Sequence, residues 1–192
     1  MKQNQMSSHL TPGLVDQLRQ AALSEEASLI QQRRKFHANP ELGWQEIETT
    51  RAIVSDLVQI GYEVVSGADF LAGVTKIGMS DAPVPGEGDT GCIAIYDSGK
   101  PGPTICMRVD IDALPIHEAS GNHAPAAGGF ASTKPGVMHA CGHDGHAAIG
   151  LATARILKPL LSTGRGKLKL LFQPAEEGGR GARSVADAGW MD

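Results

Sequence analysis

Hydrophobic residues recur at helical spacing in four stretches of the chain, and two of these stretches carry clear end signals. Residues 14–36 predict a helix that stops near Asn39 and Pro40, because the residue before a proline is disfavoured in the helical region. Residues 45–60 predict a second helix, with Gly61 as its C-cap. The remaining helices are predicted at residues 145–161 and 182–188.

Strands are predicted where apolar residues alternate with polar ones or form short uninterrupted runs. Residues 104–109 form an uninterrupted run, which is typical of a central strand buried on both faces. The run contains Cys106, and Cys92 lies in a similar run, so both thiols are expected to be buried. The other predicted strands are at residues 62–65, 73–77, 92–96 and 167–172.

Helices that alternate with strands predict an α/β fold, here a mixed central sheet flanked by helices, because residues 62–96 hold several strands with no helix between them. Residues 79–91 and 118–137 are rich in Gly and Pro, and are expected to be an exposed loop and a long irregular loop. The first 13 residues are interpreted as a loose leader. Residues 14–192 are expected to form one domain, since 192 residues suffice for one core.

Composition and charge favour an ordinary globular protein, with 41% hydrophobic and 20% charged residues. The net charge of -4 favours neither a nucleic-acid partner nor a membrane surface. No apolar run approaches the roughly 18 residues of a membrane span, and the polar start lacks the apolar core of a secretory signal. A cytoplasmic location is therefore expected. The three cysteines have no paired spacing, which indicates free thiols or ligands.

Charged residues directly follow the strand predicted at residues 104–109, in the segment Arg108-Val-Asp-Ile-Asp112. Carboxylates at the end of a buried strand are costly unless they are paired or bind a ligand. In an α/β sheet, such strand ends are where functional groups gather. On its own, an Asp-capped turn explains this segment equally well.

The segment His139-Ala-Cys-Gly-His-Asp-Gly-His146 holds three histidines, a cysteine and an aspartate just before a predicted helix. Thiolate and imidazole are the ligands that a divalent ion such as zinc prefers. The glycine between Cys141 and His143 permits a turn that aims both side chains inward, and Asp144 is expected to orient one imidazole. His146 is either a neighbour of the ligands or a helix-start residue. The density of ligands disfavours a simple polar helix cap.

Adjacent carboxylates follow another predicted strand, in Phe172-Gln-Pro-Ala-Glu-Glu-Gly-Gly179. Two neighbouring carboxylates repel each other, so the pair needs a cation or one raised pKa. One glutamate that binds a metal beside one that acts as a general base meets this need. A solvated acidic turn is the better interpretation of this segment alone, but the His- and Cys-rich segment favours the metal.

Together these motifs resemble the aminoacylase/carboxypeptidase-type metallopeptidases, in particular the branch that contains hippurate hydrolase, auxin-conjugate hydrolases and p-aminobenzoyl-glutamate hydrolase. Residues 97–103 and 179–183 are most similar to the last of these. The motifs that carry the resemblance are Arg33-Arg-Lys-Phe-His37, Pro40-Glu-Leu-Gly-Trp44, Met107-Arg-Val-Asp-Ile-Asp-Ala-Leu-Pro115, Met138-His-Ala-Cys-Gly-His-Asp-Gly-His146 and Phe172-Gln-Pro-Ala-Glu-Glu-Gly178.

The resemblance implies a zinc-exopeptidase-like catalytic domain that hydrolyses the amide bond of N-acyl amino acids, p-aminobenzoyl-glutamate being one candidate substrate. It implies two divalent ions, zinc or manganese, with Cys141, His143 and Glu177 as ligands. Glu176 is then the general base, and Asp110 orders the surroundings of the metal, while the role of Asp112 stays open. The complete enzyme is expected to be a homodimer or hetero-oligomer that acts on a small molecule.

The resemblance also implies a further histidine ligand after the Glu-Glu pair, a last histidine near the C-terminus and an inserted dimerisation domain. None of these is found before residue 192, so the chain is expected to be the N-terminal portion of such an enzyme. His9, His37, His117 and His123 are poor substitutes by position. The alternative is an inactive remnant that folds and binds at most one ion. A thiol redox or structural zinc protein is disfavoured, because no Cys-x-x-Cys is present.

Overall fold

The computed structural model describes residues 11–79, 81 and 85–191. A short 3-10 turn, Gly67–Asp69, follows the first strand. The main elements in chain order are α1 (Pro12–Ala38), α2 (Ile47–Ile60), β1 (Glu63–Ser66), β2 (Cys92–Asp97), β3 (Thr104–Asp110), α3 (Ala124–Ala127), α4 (His143–Leu161), β4 (Lys167–Gln173) and α5 (Gly181–Asp187).

The strands form one four-stranded sheet in the order β1-β2-β4-β3. The β1–β2 and β2–β4 pairs are antiparallel, whereas β3 and β4 are parallel. Parallel neighbours need a long crossover connection, and the connection from β3 to β4 contains α4. The predicted α/β fold with a mixed sheet is therefore confirmed.

The long helix α1 begins where the sequence supplies the signals for a start. The hydroxyl oxygen of Thr11 accepts a hydrogen bond from the Leu14 N–H at 3.3 Å. Pro12 lies in the first turn, where its missing N–H costs nothing. The predicted leader of residues 1–13 lies mostly outside the described residues, and its last two residues belong to α1.

The other predicted helices are confirmed as α2, α4 and α5, with ends shifted by at most two residues. Gly61 closes α2 in the left-handed region, at φ 94°, and its N–H bonds to the Leu57 and Val58 carbonyls. The loop predicted at residues 118–137 contains only the short helix α3. No helix in the described part of the chain is both long and apolar enough to cross a membrane.

The prediction that residues 104–109 form a central strand buried on both faces is wrong. Within the described residues, β3 lies at the edge of the sheet and pairs with β4 alone. Ile105 is 61% exposed, and Cys106 is exposed rather than buried. An apolar run indicates a strand but does not encode its place in the sheet. Only the carboxyl end of β3, at Val109 and Asp110, is buried. Cys92 is buried in β2 as predicted.

The strand predicted at residues 73–77 is also absent, because this segment forms turns instead. Two of its carbonyl oxygens accept hydrogen bonds from side chains rather than from a neighbouring strand. Ser184 donates its hydroxyl to the Thr75 carbonyl at 2.8 Å, and Trp44 donates its indole N–H to the Ile77 carbonyl at 3.0 Å. Satisfied in this way, the backbone needs no strand partner.

The core lies on both faces of the sheet, because successive strand residues point to opposite sides. Leu170 and Phe172 of β4 pack with Leu57 and Leu151 in the larger cluster, on the side of α2 and α4. Leu171 packs on the opposite side, in a cluster that also contains Trp44, Phe70, Leu71, Ile93, Ala175 and Val185.

We expect Gly150→Ala in α4 to destabilise the protein by about 1–3 kcal/mol. A Cβ at residue 150 would lie 2.9 Å from the Phe172 ring and 3.0 Å from Val109, so α4 would be pushed off the sheet. This overpacking should exceed the gain of roughly 1 kcal/mol in helix propensity.

Gly145→Ala is the matched control in the same helix, because a Cβ at residue 145 approaches only the Arg33 side chain, at 4.0 Å. Urea unfolding should show that Gly145→Ala is neutral or stabilising. Equal effects of the two substitutions would contradict the close approach of α4 to the sheet.

Candidate metal centre

Three of the ligands expected from the sequence come together at one edge of the sheet. One ligand atom from each of Cys141, His143 and Glu177 lies within 4.8 Å of the others. Cys141 precedes α4, His143 is its first residue, and Glu177 follows β4. Gly142, at φ 89°, makes the turn between the first two ligands. The parallel ends of β3 and β4 and the start of α4 therefore meet at this edge.

The imidazole of His143 is oriented from behind by Asp112. Its Nδ1 lies 3.1 Å from the Asp112 carboxylate and 3.0 Å from the Asp112 carbonyl, so the Nδ1–H donates there. Nε2 then faces the acidic turn, 4.0 Å from both Glu176 and Glu177. Burial acts to lower the pKa of His143, but the hydrogen bond and charge of Asp112 raise it above its ordinary value.

Asp112 also positions the second ligand, because its Oδ2 accepts the Glu177 N–H at 2.9 Å. The Asp112 side chain is fully buried. Burial acts to raise the pKa of Asp112, yet the hydrogen bonds from His143 and from the backbone at Glu177 and Glu176 hold it below its ordinary value. Asp112, whose role the sequence left open, thus joins an expected ligand on α4 to an expected ligand after β4.

Asp110 lies beside the centre rather than behind it. Its carboxylate bonds to Arg108 at 2.9 Å and lies 3.6 Å from the His146 ring. His146 stacks on His143, with ring centroids 5.2 Å apart. One atom each of Asp110, His143 and His146 forms a second group within 4.8 Å. The ordering role given to Asp110 stays a prediction.

The side chains present fit a divalent cation. Oε1 of Glu177 is buried and has no hydrogen-bond partner among the described residues. A buried carboxylate oxygen of this kind needs a donor or a cation. The nearby Glu177 and, to a lesser extent, burial raise the pKa of the Cys141 thiol. Thiolate, imidazole and carboxylate together form a ligand set that zinc accepts.

Asp144 orients an imidazole, as expected, but that imidazole belongs to His37 on α1. Oδ2 of Asp144 lies 2.9 Å from His37 Nδ1 and also accepts the Arg33 Nε–H at 3.0 Å. His139 lies near these groups without joining either ligand group. It is buried, and burial lowers its pKa to about 4, so the ring is neutral. Neither of its ring nitrogens has a partner within the part of the chain described.

Glu46 supports the turn that carries Glu176 and Glu177, and this role is not evident from the sequence. Its side chain is fully buried, and its Oε1 accepts the Ala175 N–H at 2.7 Å. Ala175 has a positive φ of 50°, at the point where the chain turns toward Glu176 and Glu177. Burial raises the pKa of Glu46 to about 8. In the sequence, an acid at the start of a helix is explained equally well by the helix dipole.

We expect Asp112→Asn to weaken zinc binding about 10- to 100-fold, the usual loss when the partner of a ligand is removed. An amide cannot accept both the His143 and the Glu177 hydrogen bonds. Asp110→Asn is the matched isosteric control and should have a smaller effect, because Asp110 contacts Arg108 and His146. Competition titration with a chromogenic chelator measures both affinities. If Asp110→Asn weakened zinc binding more than Asp112→Asn does, Asp110 rather than Asp112 would be the residue that positions the ligands.

We expect Glu46→Gln to match the native chain in stability near pH 4.5 and to exceed it increasingly up to about pH 8. The folded-state pKa lies above the unfolded value, so stability present below 4.5 is lost as the pH rises toward 8. The margin should grow by on the order of 1 kcal/mol per pH unit.

Glu48→Gln, at an exposed acid of the same helix, is the control for this comparison. Urea unfolding across this pH range should show a constant difference from the native chain for Glu48→Gln. A constant difference for Glu46→Gln as well would show that the Glu46 carboxyl is not buried in its neutral form.

The chain is similar in sequence to curated hydrolases. It is 42% identical to an indole-3-acetyl-aspartic acid hydrolase of Enterobacter agglomerans, over 85% of this chain and 42% of that protein. It is 40% identical to one of the subunits of the p-aminobenzoyl-glutamate hydrolase of Escherichia coli (strain K12), over 93% of this chain and 46% of that relative. The chain therefore spans less than half the length of these relatives.

Solved structures share the fold. A dinuclear metal-binding peptidase of the M20 family from Bacillus subtilis superposes with a TM-score of 0.71 at 36% identity, over 88% of this chain and 41% of that chain. An aminobenzoyl-glutamate utilization protein from Klebsiella pneumoniae gives a TM-score of 0.70 at 33% identity, over 91% and 43%.

Residues 106–192, which include Cys141, His143 and Glu177, match the family described as peptidase family M20/M25/M40. The resemblance indicated by the sequence motifs is confirmed by this match and by the relatives at about 40% identity. In this segment the chain is similar to the hydrolases of peptidase family M20/M25/M40.

Proposed function

We propose that this chain carries the metal-binding part of an enzyme that hydrolyses the amide bond of N-acyl amino acids. The observation that best supports this proposal is that one ligand atom from each of Cys141, His143 and Glu177 lies within 4.8 Å of the others. Glu176 lies next to them and is not part of the ligand group. This is the arrangement that metal-assisted hydrolysis needs, namely a ligand set beside a free carboxylate.

Cys141, His143 and Glu177 are the residues that would hold a first divalent ion, zinc or manganese. Asp110 and His146 lie close enough to His143 to contribute to a second ion, and a solved relative is described as a dinuclear metal-binding peptidase. When bound, such ions supply Lewis-acid polarisation of the amide carbonyl and acidify a water at neutral pH.

Glu176 is the side chain available to move protons. Its carboxylate lies 4.0 Å from His143 Nε2 and 3.9 Å from the Arg108 guanidinium, and it is 38% exposed. A carboxylate in this position can take a proton from the attacking water and deliver it to the leaving amine. Arg108 and His143 direct it toward the ligand group, while its exposure leaves room for a substrate.

The substrate class is inferred from the cleft and from the relatives. An open cleft of about 470 Å³ lies against Asp112 and Glu177 and is also lined by Gly43, Leu114 and Pro115. The relatives are named for indole-3-acetyl-aspartate and p-aminobenzoyl-glutamate, each an acyl group joined to an acidic amino acid. We therefore favour N-acylated aspartate or glutamate, including p-aminobenzoyl-glutamate, as the substrate.

The assembly and location are proposed on weaker support. One relative is named as part of a multi-subunit hydrolase, which favours a homodimer or hetero-oligomer for the whole enzyme. The three cysteines, all in the described part of the chain, are free. Free thiols are typical of a reducing compartment, so we propose a cytoplasmic location.

We expect Glu176→Gln to lower kcat for p-aminobenzoyl-glutamate hydrolysis by about a hundredfold to ten-thousandfold, with metal content unchanged. Cys141→Ala should instead remove metal, because it deletes a ligand. Elemental mass spectrometry of the purified variants and release of p-aminobenzoate measure the two effects.

Two results would contradict the proposal. Near-native turnover by Glu176→Gln would exclude Glu176 as the base, and unchanged metal content in Cys141→Ala would exclude Cys141 as a ligand. If the complete enzyme binds at most one ion and turns over none of the N-acyl aspartates and glutamates, the inactive remnant is favoured instead.

A further inference from the structure

A second group of metal-ligating side chains lies apart from Cys141, His143 and Glu177. His37 comes from the last turn of α1, whereas Glu118 and His123 come from the segment between β3 and α4. The Nε2 atoms of His37 and His123 lie 2.8 and 2.7 Å from the same oxygen, Oε1 of Glu118. The three ligand atoms lie within 4.8 Å of one another.

This group is largely closed to solvent. The side chains of His37 and Glu118 are 5% and 6% exposed, and that of His123 is 28% exposed. A carboxylate removed from water in this way requires compensation by donors or by a cation. The more open His123 leaves a side from which an ion can enter.

Both ring nitrogens of His37 face carboxylates. Nδ1 lies 2.9 Å from Asp144, and Nε2 lies 2.8 Å from Glu118. A neutral imidazole has one N–H, so it can donate to only one of them. At the other nitrogen a lone pair faces a carboxylate oxygen, unless the ring carries a second proton or a cation lies between them.

In one of the two tautomers of a neutral His37, the proton lies on Nδ1. Asp144 Oδ2, the acceptor on that side, also holds the Arg33 guanidinium at 3.0 Å. With Nδ1–H donated to Asp144, the Nε2 lone pair points at Glu118. A histidine whose other N–H is held by a carboxylate is the usual arrangement around a metal-binding imidazole.

The surroundings of Glu118 favour the charged form of its carboxyl group. Its second oxygen accepts the backbone N–H of Ser132. Burial acts to raise the pKa of Glu118, but hydrogen bonds to the carboxylate, first among them that from the Ser132 N–H, outweigh it and keep the pKa below its ordinary value. Two imidazoles and one carboxylate form a ligand set that zinc uses.

We propose that His37, Glu118 and His123 form a second, separate binding site for a zinc-type divalent cation that fastens the segment of residues 114–137 to the end of α1. Other contacts already hold this segment against the end of α1. The Phe130 ring meets the His37 ring edge-on at 5.7 Å, and the Thr133 N–H donates to the Ala38 carbonyl at 2.9 Å.

The test measures this site with the first centre disabled. In a chain carrying Cys141→Ser, His143→Gln and Glu177→Gln, which disables both ligand groups that share His143, Co²⁺ alone is titrated and followed by visible absorption and by calorimetry. We expect one Co²⁺ per chain, with ligand-field bands but without a thiolate charge-transfer band. Adding His123→Ala should weaken this binding by at least about tenfold.

His117→Ala is the matched control, because His117 is an exposed histidine of the same segment that lies outside the ligand groups of the described residues. It should leave Co²⁺ affinity unchanged. Glu118→Gln keeps the size of the side chain but removes its charge, and should weaken binding as His123→Ala does.

Binding of no Co²⁺ by the disabled chain would overturn the proposal, and so would equal affinity in the His123→Ala and His117→Ala chains. If the disabled chain does not fold, the native chain serves instead. There, His123→Ala should remove one equivalent of Co²⁺ and keep the thiolate band of the Cys141 site. Loss of no equivalent in that experiment would equally overturn the second site.

Discussion

The buried carboxylate of Asp112 is the contact on which the rest of the centre depends. It lies just past the carboxyl end of β3, beside the end of β4, and it binds the His143 ring and the Glu177 backbone together. A carboxylate removed from water is stable only with such donors. The contact therefore fixes the start of α4 relative to the turn after β4. Cys141 is carried along, because a single glycine separates it from His143.

Two further buried acids complete this support from other directions. Glu46 holds the turn after β4 through the Ala175 N–H, and Asp144 ties the start of α4 to α1 through His37 and Arg33. One oxygen of each acid accepts hydrogen bonds from donors far away in the sequence. The ligand geometry is thus a product of the whole domain and not of the His- and Cys-rich segment alone. A cation bound by Glu118 and the two nearby histidines would add a similar link in the segment before α4.

Much of the fold is predictable because the ends of helices carry local sequence signals. Pro40 and Gly61 mark the ends of α1 and α2, and apolar spacing identifies α4. That Cys141, His143 and Glu177 lie together is also predictable, from residue type and from the family resemblance. The features that the sequence does not reveal depend on distant partners. The edge position of β3 follows from strand order, and the turns at residues 73–77 depend on donors from Ser184 and Trp44. The link between Asp144 and His37 joins residues 107 positions apart, so no local pattern reveals it.

The proposed function requires that Cys141 and His143 converge with Glu177 on one divalent ion. X-ray absorption spectroscopy of the zinc-loaded native chain probes this convergence, because sulfur and the lighter nitrogen and oxygen ligands scatter differently. We expect a sulfur neighbour at about 2.3 Å from zinc, beside nitrogen and oxygen neighbours, and its loss in Cys141→Ser. A zinc environment of nitrogen and oxygen alone in the native chain would show that Cys141 is not a ligand and that the metal lies elsewhere.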